Sequence, residues 1–494
     1  MYVSSVFHVL GWLLGILGAV MAIPLLVSAG YGEYGSAVAF AGAMAMAIFA
    51  AGILIITFRG QHGAVRNHDA VLLVVLIWVV LPIVGAFPFY FQGASLTTVD
   101  SYFEAVSGFT TTGATIISHV SAAAHGILVW RALLQWLGGL AMIVLAFTIL
   151  PSVASGALVM QSMLPQGEAE SLLRRLRGAT LAILPLYAGA TGLCFVLLIL
   201  TGIPVFDAFC MAMSTLATGG FVTRDGSIGA FDNPWAEIVL VIFMLIGATN
   251  FLLHRDLFQT RRFHHFRDPE FRLFMIIVGL GAVLFWVLLS IGTLTLDPEL
   301  VKQLPHLDWL GRLRVSLFAA VSTATTTGYV AGGMVPLPPS AALFLMALML
   351  IGGSTGSTAG GLKVMRLDLL VRHAGVEMAR SLHPHGIFRI RYGSRPIGVT
   401  LFSAVWSYFL LYLVLLCATS LALSLVGVDF MSAFTAAATM ISNAGPLDGA
   451  LDPGAVPYQH LPETAKWVLC VAMILGRMEV FAAMTLLNPQ YWRR

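Results

Sequence analysis

Charge is scarce in this 494-residue chain: Asp, Glu, Lys and Arg together make up only 10% of it, against about 25% in soluble globular proteins. With 59% of residues apolar, most of the chain must lie in lipid, which excludes a soluble, disordered or merely surface-anchored protein. Net charge is small as well: 26 Lys and Arg against 23 Asp and Glu leave +3, far from the balance of a nucleic-acid binder. Cysteine is almost missing. Cys194, Cys210, Cys417 and Cys470 all fall in apolar stretches without ligand-like spacing, so they read as small buried hydrophobes and carry no information on redox compartment. No H-E-x-x-H and no paired intramembrane aspartates occur, which leaves a membrane-embedded enzyme as a remote alternative. His264–His265 and His383–His385 lie in basic loops without companion ligands and read as solvated histidines.

What is present is a series of apolar runs near the ~20 residues that cross a bilayer. They cover 5–29, 36–57, 70–92, 127–152, 179–201, 234–254, 272–294, 339–368, 396–426 and 464–487, ten crossings in all. The first has no basic leader and is long for a signal sequence, so it reads as a membrane helix. With the N-terminus inside, nineteen of the 26 Lys and Arg residues fall in inner segments and six in outer ones. By the positive-inside rule this places both termini in the cytoplasm.

Four outer connections each hold an apolar stretch too short to span, ending in small and hydroxyl residues and a glycine: DSYFEAVSGFTTTGAT (100–115), DAFCMAMSTLATGGFVT (207–223), RVSLFAAVSTATTTGYV (314–330) and MSAFTAAATMISNAGP (431–446). A hydroxyl residue precedes the glycine by six positions every time: Ser107 and Gly113, Ser214 and Gly220, Ser322 and Gly328, Thr439 and Gly445. The glycines recur every 107, 108 and 117 residues, so the chain contains a fourfold repeat of helix, half-helix with loop, and helix. The expected fold is an all-α polytopic membrane protein: two N-terminal helices (1–69), then repeats at 70–178, 179–271, 272–395 and 396–494 around a pseudo-fourfold pore.

Non-helical backbone at membrane depth persists only where it is buried in protein or lines an aqueous path. Four such loops converge on a central axis, where carbonyls replace the hydration shell of a cation. Glycine suits the turn because it reaches positive φ without steric cost. The expected filter residues are Thr111, Thr112 and Gly113; Thr218, Gly219 and Gly220; Thr326, Thr327 and Gly328; and Asn443, Ala444 and Gly445. Each half-helix points the negative end of its dipole at the axis, favouring a cation. Asp100 and Asp207, each thirteen residues before its glycine, read as N-caps of the half-helices. Glu104 serves either to attract cations to the mouth or as a structural hydrogen-bond acceptor.

The span 339–368 is interrupted. About twelve residues rise roughly 18 Å, half the bilayer, before IGGSTGSTAGGLK begins at 351. This stretch cannot hold a stable helix, and Lys363 followed by Val364 does not complete a Walker A motif. It reads as an intramembrane gate below the filter, built from Gly352, Gly353, Ser354, Thr355, Gly356, Ser357, Thr358, Gly360, Gly361 and Lys363; a merely flexible kink is the competing reading. Arg477 sits mid-span in LGRMEVF. It is either half of a buried ion pair or a positive charge below the filter that limits permeation and pins the gate.

The units TTTGAT, ATGGF, TTTGY and SNAGP, together with GSTAGGLKVMR, resemble the filter loops and glycine-rich loop of the Trk/Ktr/HKT superfamily of potassium transporters across essentially the whole chain. The two helices before the first repeat resemble its TrkH branch. Ala217, Ala444 and Leu447 depart from the family's usual loop residues. The resemblance implies potassium at the filter, with Gly113 the residue that accompanies potassium selectivity and Arg477 at the position of a family arginine. It further implies a bacterial cytoplasmic membrane, a homodimer, and a TrkA-like ring of nucleotide-binding subunits docking on the basic loops 160–178, 255–271 and 366–395. Potassium is the transported ion and no cofactor is expected. A sodium-permeable or cation-coupled secondary transporter is the alternative.

Overall fold

A computed structural model describes residues 3–59, 67–92, 96–148, 172–260, 267–295, 309–332, 337–383, 391–392, 395–396 and 399–478. Among these the protein is helical apart from one two-residue antiparallel pairing, Arg391–Tyr392 with Arg395–Pro396. Two N-terminal crossings precede the repeats: Val3–Val20 (α1) continued after Met21 by Ala22–Gly30 (α2), and Tyr34–Thr57 (α3). Gly11 and Gly18 let α1 lie against Leu54, Ile55, Ala47 and Ile48 of α3, the close backbone approach that holds helices together in lipid.

Each repeat follows one plan. The first is Asn67–Phe91 (α4), half-helix Thr98–Phe109 (α5) and His125–Thr148 (α6); the second is Leu172–Leu200 (α7), half-helix Val205–Leu216 (α8) and Pro234–Ala248 (α9), continued by Phe251–Thr260 (α10). The third is Pro269–Thr295 (α11), half-helix Trp309–Ala324 (α12), then Pro339–Ile351 (α13) and Val364–Leu382 (α14). The fourth is Val399–Leu425 (α15), half-helix Phe430–Ile441 (α16), a short turn Asp448–Leu451 (α17), and Glu463–Arg477 (α18). The half-helices are buried over the turns that lead into their loops, whereas large apolar side chains such as Val38, Phe49, Leu280 and Leu425 stand exposed on the outer helices, as a lipid-facing surface requires.

Seven helices among the described residues are long and apolar enough to cross a membrane. The expected single crossing 234–254 is corrected: α9 and α10 meet at 102°. Thr249 is extended (φ −101°, ψ 162°) and the Asn250 side chain accepts from the Leu252 amide at 2.9 Å, so a new helix is capped where the old one stops. An apolar count cannot register such a break. The interruption of 339–368 falls as expected, between Ile351 and Val364. The last span is described only to Met478, and His264, His265, His385 and loop 160–171 lie outside the described residues. Three cysteines are buried as expected; Cys417 instead faces outward on α15.

Candidate functional site

The four loops share one backbone device. The residue two before each glycine is left-handed: Thr111, Thr218, Thr326 and Asn443 have φ of 56°, 49°, 55° and 54°. A left-handed β-branched residue is strained and persists only where its surroundings hold it. Glycine follows at φ 79° in Gly113, 83° in Gly220 and 84° in Gly328. This alternation turns successive carbonyls to one side. The hydroxyl residue six places earlier explains itself in the first and third loops. Ser107 Oγ donates to the Ala114 carbonyl at 2.5 Å and Ser322 Oγ to the Tyr329 carbonyl at 2.8 Å, closing each loop back on its half-helix.

The fourth loop departs. Gly445 is not left-handed, against expectation, but opens a 3-10 turn with Pro446 and Leu447. Its amide donates to the Thr112 carbonyl at 2.7 Å, and a proline at the next position has no N–H to continue the pattern. A Cβ on Gly113, Gly220 or Gly328 would come within 3.1, 2.9 or 2.8 Å of the Pro446 ring, so that ring stands where the other loops converge.

The loops form a ring in chain order. A Cβ on Gly113 would lie 2.0 Å from the Gly219 oxygen, one on Gly220 2.1 Å from the Thr327 oxygen, and one on Gly445 2.5 Å from the Ala114 nitrogen. Side chains brace it. Gln135 Nε2 donates to the Gly219 carbonyl at 2.7 Å while its Oε1 accepts from Phe221 N at 3.3 Å. Asn443 Nδ2 donates to Thr112 Oγ1 at 2.8 Å and to the Met473 carbonyl at 3.1 Å. Gly219, Thr327 and Ala444 are buried members of the ring.

Directly beneath lies the glycine-rich loop. Gly360 N donates to Thr326 Oγ1 at 2.7 Å, and Thr218 Oγ1 donates to Thr358 Oγ1 at 3.1 Å. The bend after α9 supplies its anchor points. The carbonyls of Gly247 and Ala248, left without helical partners, accept from Thr358 N (3.1 Å) and Ser354 N (2.9 Å), and Thr358 Oγ1 also reaches Gly247 O at 2.9 Å. Glu270 at the start of α11 receives Thr355 N at 2.6 Å and Thr355 Oγ1 at 3.0 Å. Gly352, Gly356 and Gly361 are left-handed, as is Lys363, whose ammonium donates to the Ala359 carbonyl. Gly353 and Ser357 are buried within this loop, which touches the second, third and fourth strands of the ring at once.

Arg477 follows Gly476, whose Cβ position lies 2.2 Å from the Ile441 carbonyl at the end of half-helix α16. Its side chain is 2% exposed, and none of its three guanidinium nitrogens hydrogen-bonds to a described residue. Neither a buried carboxylate nor a carbonyl of the glycine-rich loop is therefore its hydrogen-bond partner among the described residues; the aromatic face of Trp78 lies 5.9 Å away.

Two acidic expectations are corrected. Asp100 and Asp207 are third residues of their half-helices, not N-caps. Thr97 caps α5 in a reciprocal capping box with Asp100, and Pro204 precedes α8 without a side-chain cap. The T-x-x-D spacing carried that signal. Asp100 pairs with Lys466 at 2.6 Å and Asp207 with Arg224 at 2.7 Å. Glu104 takes the structural reading. Fully buried, it pairs with Arg131 at 2.8 Å and accepts from Ile116 N at 2.9 Å and Thr115 Oγ1 at 3.0 Å. Removing one partner of a buried pair strands a charge and costs about 3–5 kcal/mol. Glu104→Ala is thus expected to lower the apparent melting temperature in detergent; an unchanged melting curve counts against this pairing. Gln135, Glu270 and Gly476 were not legible as site residues, because only their tertiary neighbours give them a role.

A ring of four half-helix loops over a buried glycine-rich loop defines a polytopic membrane protein built on four helix, half-helix and helix repeats. A family model described as TrkH, cation transport protein, matches residues 36–493. The chain is 34% identical over the full length of both chains to the Trk system potassium uptake protein TrkH of Salmonella typhimurium, and equally to that of Escherichia coli K12. The crystal structure of the potassium transporter TrkH from Vibrio parahaemolyticus superposes with a TM-score of 0.89 at 32% identity, covering all of both chains. The chain belongs to the TrkH family of cation transport proteins and is a transport protein rather than an enzyme.

Proposed function

We propose that the chain carries potassium across a membrane through the ring formed by Thr111–Gly113, Thr218–Gly220, Thr326–Gly328 and Asn443–Gly445. The carrying observation is the left-handed residue two before the glycine in all four loops. Four unrelated turns have no reason to store the same strain, whereas a ring of inward carbonyls requires it. The relatives named as potassium uptake proteins supply the ion, and the repeats 70–178, 179–271, 272–395 and 396–494 are its four sides.

The loop 351–363 acts as the gate, lying across the path below the ring. Arg477, buried and without a hydrogen-bond partner among the described residues, adds a positive charge on the inner side that raises the barrier to cations. The excess of Lys and Arg in the inner segments supports both termini inside, and the resemblance of the filter and glycine-rich loops carries the remaining parts of the proposal: a bacterial cytoplasmic membrane, a homodimer, and a TrkA-like cytosolic regulator on the basic inner loops. Potassium is cargo, and the carbonyl ring needs no cofactor.

Purified protein in proteoliposomes is expected to take up potassium and rubidium well ahead of sodium. Equal uptake of all three would replace this reading by a sodium-permeable or cation-coupled carrier.

A further inference from the structure

Above the ring lies a cavity of about 330 Å³. Gly113, Gly220 and Gly445 form its floor and Tyr458 part of its wall, and among the described residues two side chains of formal charge line it, Arg131 and Asp448. They differ in what they are bound to. Arg131 is committed to Glu104, to the Val222 carbonyl at 3.3 Å and to the face of Phe221 at 4.0 Å. Asp448 is 5% exposed, and its Oδ1 has no hydrogen bond to any described residue. It opens the short helix α17, three residues after Gly445.

Neighbouring carboxylates have their own partners. Asp100 holds Lys466, Asp207 holds Thr223 and Arg224, and Asp452 accepts from Ser432 Oγ at 2.7 Å and Gly454 N at 3.1 Å. Burial pushes the Asp448 carboxyl up to about 7, with a hydrogen bond from the Tyr458 hydroxyl opposing the rise and Asp452 adding to it, so it is the Oδ1 oxygen alone that is left over. A buried carboxylate oxygen without a partner is costly, and a cation is what satisfies it. One carboxylate among main-chain oxygens suits a monovalent ion; divalent ions call for several carboxylates or a fuller set of oxygen ligands.

We infer that Asp448 is an outer site for a partly hydrated monovalent cation, one step before the ring, and that it concentrates the transported ion at the mouth. The inference rests on the ring being the cation path. A charged, low-dielectric recess raises local ion concentration by about tenfold or more, and that gain appears as apparent affinity.

The test is potassium uptake into proteoliposomes as a function of external potassium, for the wild type, Asp448→Asn, Asp448→Ser and Asp448→Glu. The two neutral variants, of different size so that a folding failure of one leaves the other, are expected to raise the half-saturating concentration about tenfold. Their maximal rate should stay within about twofold of wild type, since the ring itself is untouched, and Asp448→Glu should restore the affinity. Unchanged half-saturation in either folded neutral variant overturns the proposal. So does a fall in maximal rate alone, which marks Asp448 as structural. A wild type that takes up no potassium would instead remove the reading of the ring.

Discussion

Gly113→Ser should cut the preference for potassium over sodium at least tenfold, about 1.4 kcal/mol of discrimination. Two effects act together at this position. The backbone is at φ 79°, where a side chain costs about 1–3 kcal/mol. The new Cβ would also fall 2.0 Å from the Gly219 carbonyl oxygen, an atom of the adjoining ring strand. Gly219 cannot yield alone, since Gln135 holds its oxygen at 2.7 Å. The ring must rotate or widen there, and discrimination between ions of different radius depends on that ring's geometry and field. Gly202→Ser is the control: φ is 92° but nothing lies within 4 Å of its Cβ position. It carries the strain without the collision and should leave the ratio of potassium to sodium uptake unchanged. Equal ratios in Gly113→Ser and wild type would remove Gly113 from the filter.

Deleting residues 354–358 should raise uptake by at least tenfold and make it indifferent to any cytosolic regulator. The deletion removes the amides that Ser354 and Thr358 donate to Ala248 and Gly247, the Thr358 hydroxyl contacts, and the Thr355 bonds to Glu270. At about 1 kcal/mol for each of at least four such bonds, the closed arrangement loses roughly 4 kcal/mol, enough to invert a two-state balance. The filter strands keep their own closing bonds, Ser107 to Ala114 and Ser322 to Tyr329, so selectivity should fall less than closure does. Flux at the wild-type level, still under regulation, would show that the loop is a kink and not a gate.

The parts legible in the sequence were those with a local chemical cause. A left-handed turn at membrane depth needs glycine in the first three loops, and a run such as IGGSTGSTAGG cannot stay helical, so both stood out. The fourth loop followed the same pattern on paper, yet Pro446 redirects it through a bond from Gly445 to Thr112 that no spacing encodes. The bend at Thr249 and Asn250 was hidden because an apolar run looks alike whether straight or folded by 102°. Asp100 belongs to the expected helix end but stands three positions after the cap, because Thr97 takes that place in a reciprocal capping box. Asp448 and Glu270 carry no pattern at all. Their significance comes from neighbours at other points of the chain, the filter floor for one and Thr355 for the other.

Gly138, Gly247 and Gly476 each admit the last carbonyl of a half-helix, that of Phe109, Leu216 or Ile441, against the backbone of the helix that follows. The third repeat has no such footing: its following helix, Pro339–Ile351, contains no glycine and stops short. In its place the third strand rests on the glycine-rich loop, through the amide of Gly360, which donates to Thr326 Oγ1. Three sides of the ring are thus seated on a following helix and one on the glycine-rich loop. On the proposal that this loop is the gate, moving it takes away the footing of the third side alone, and the open path then has three sides held by helices and one able to settle into a new shape.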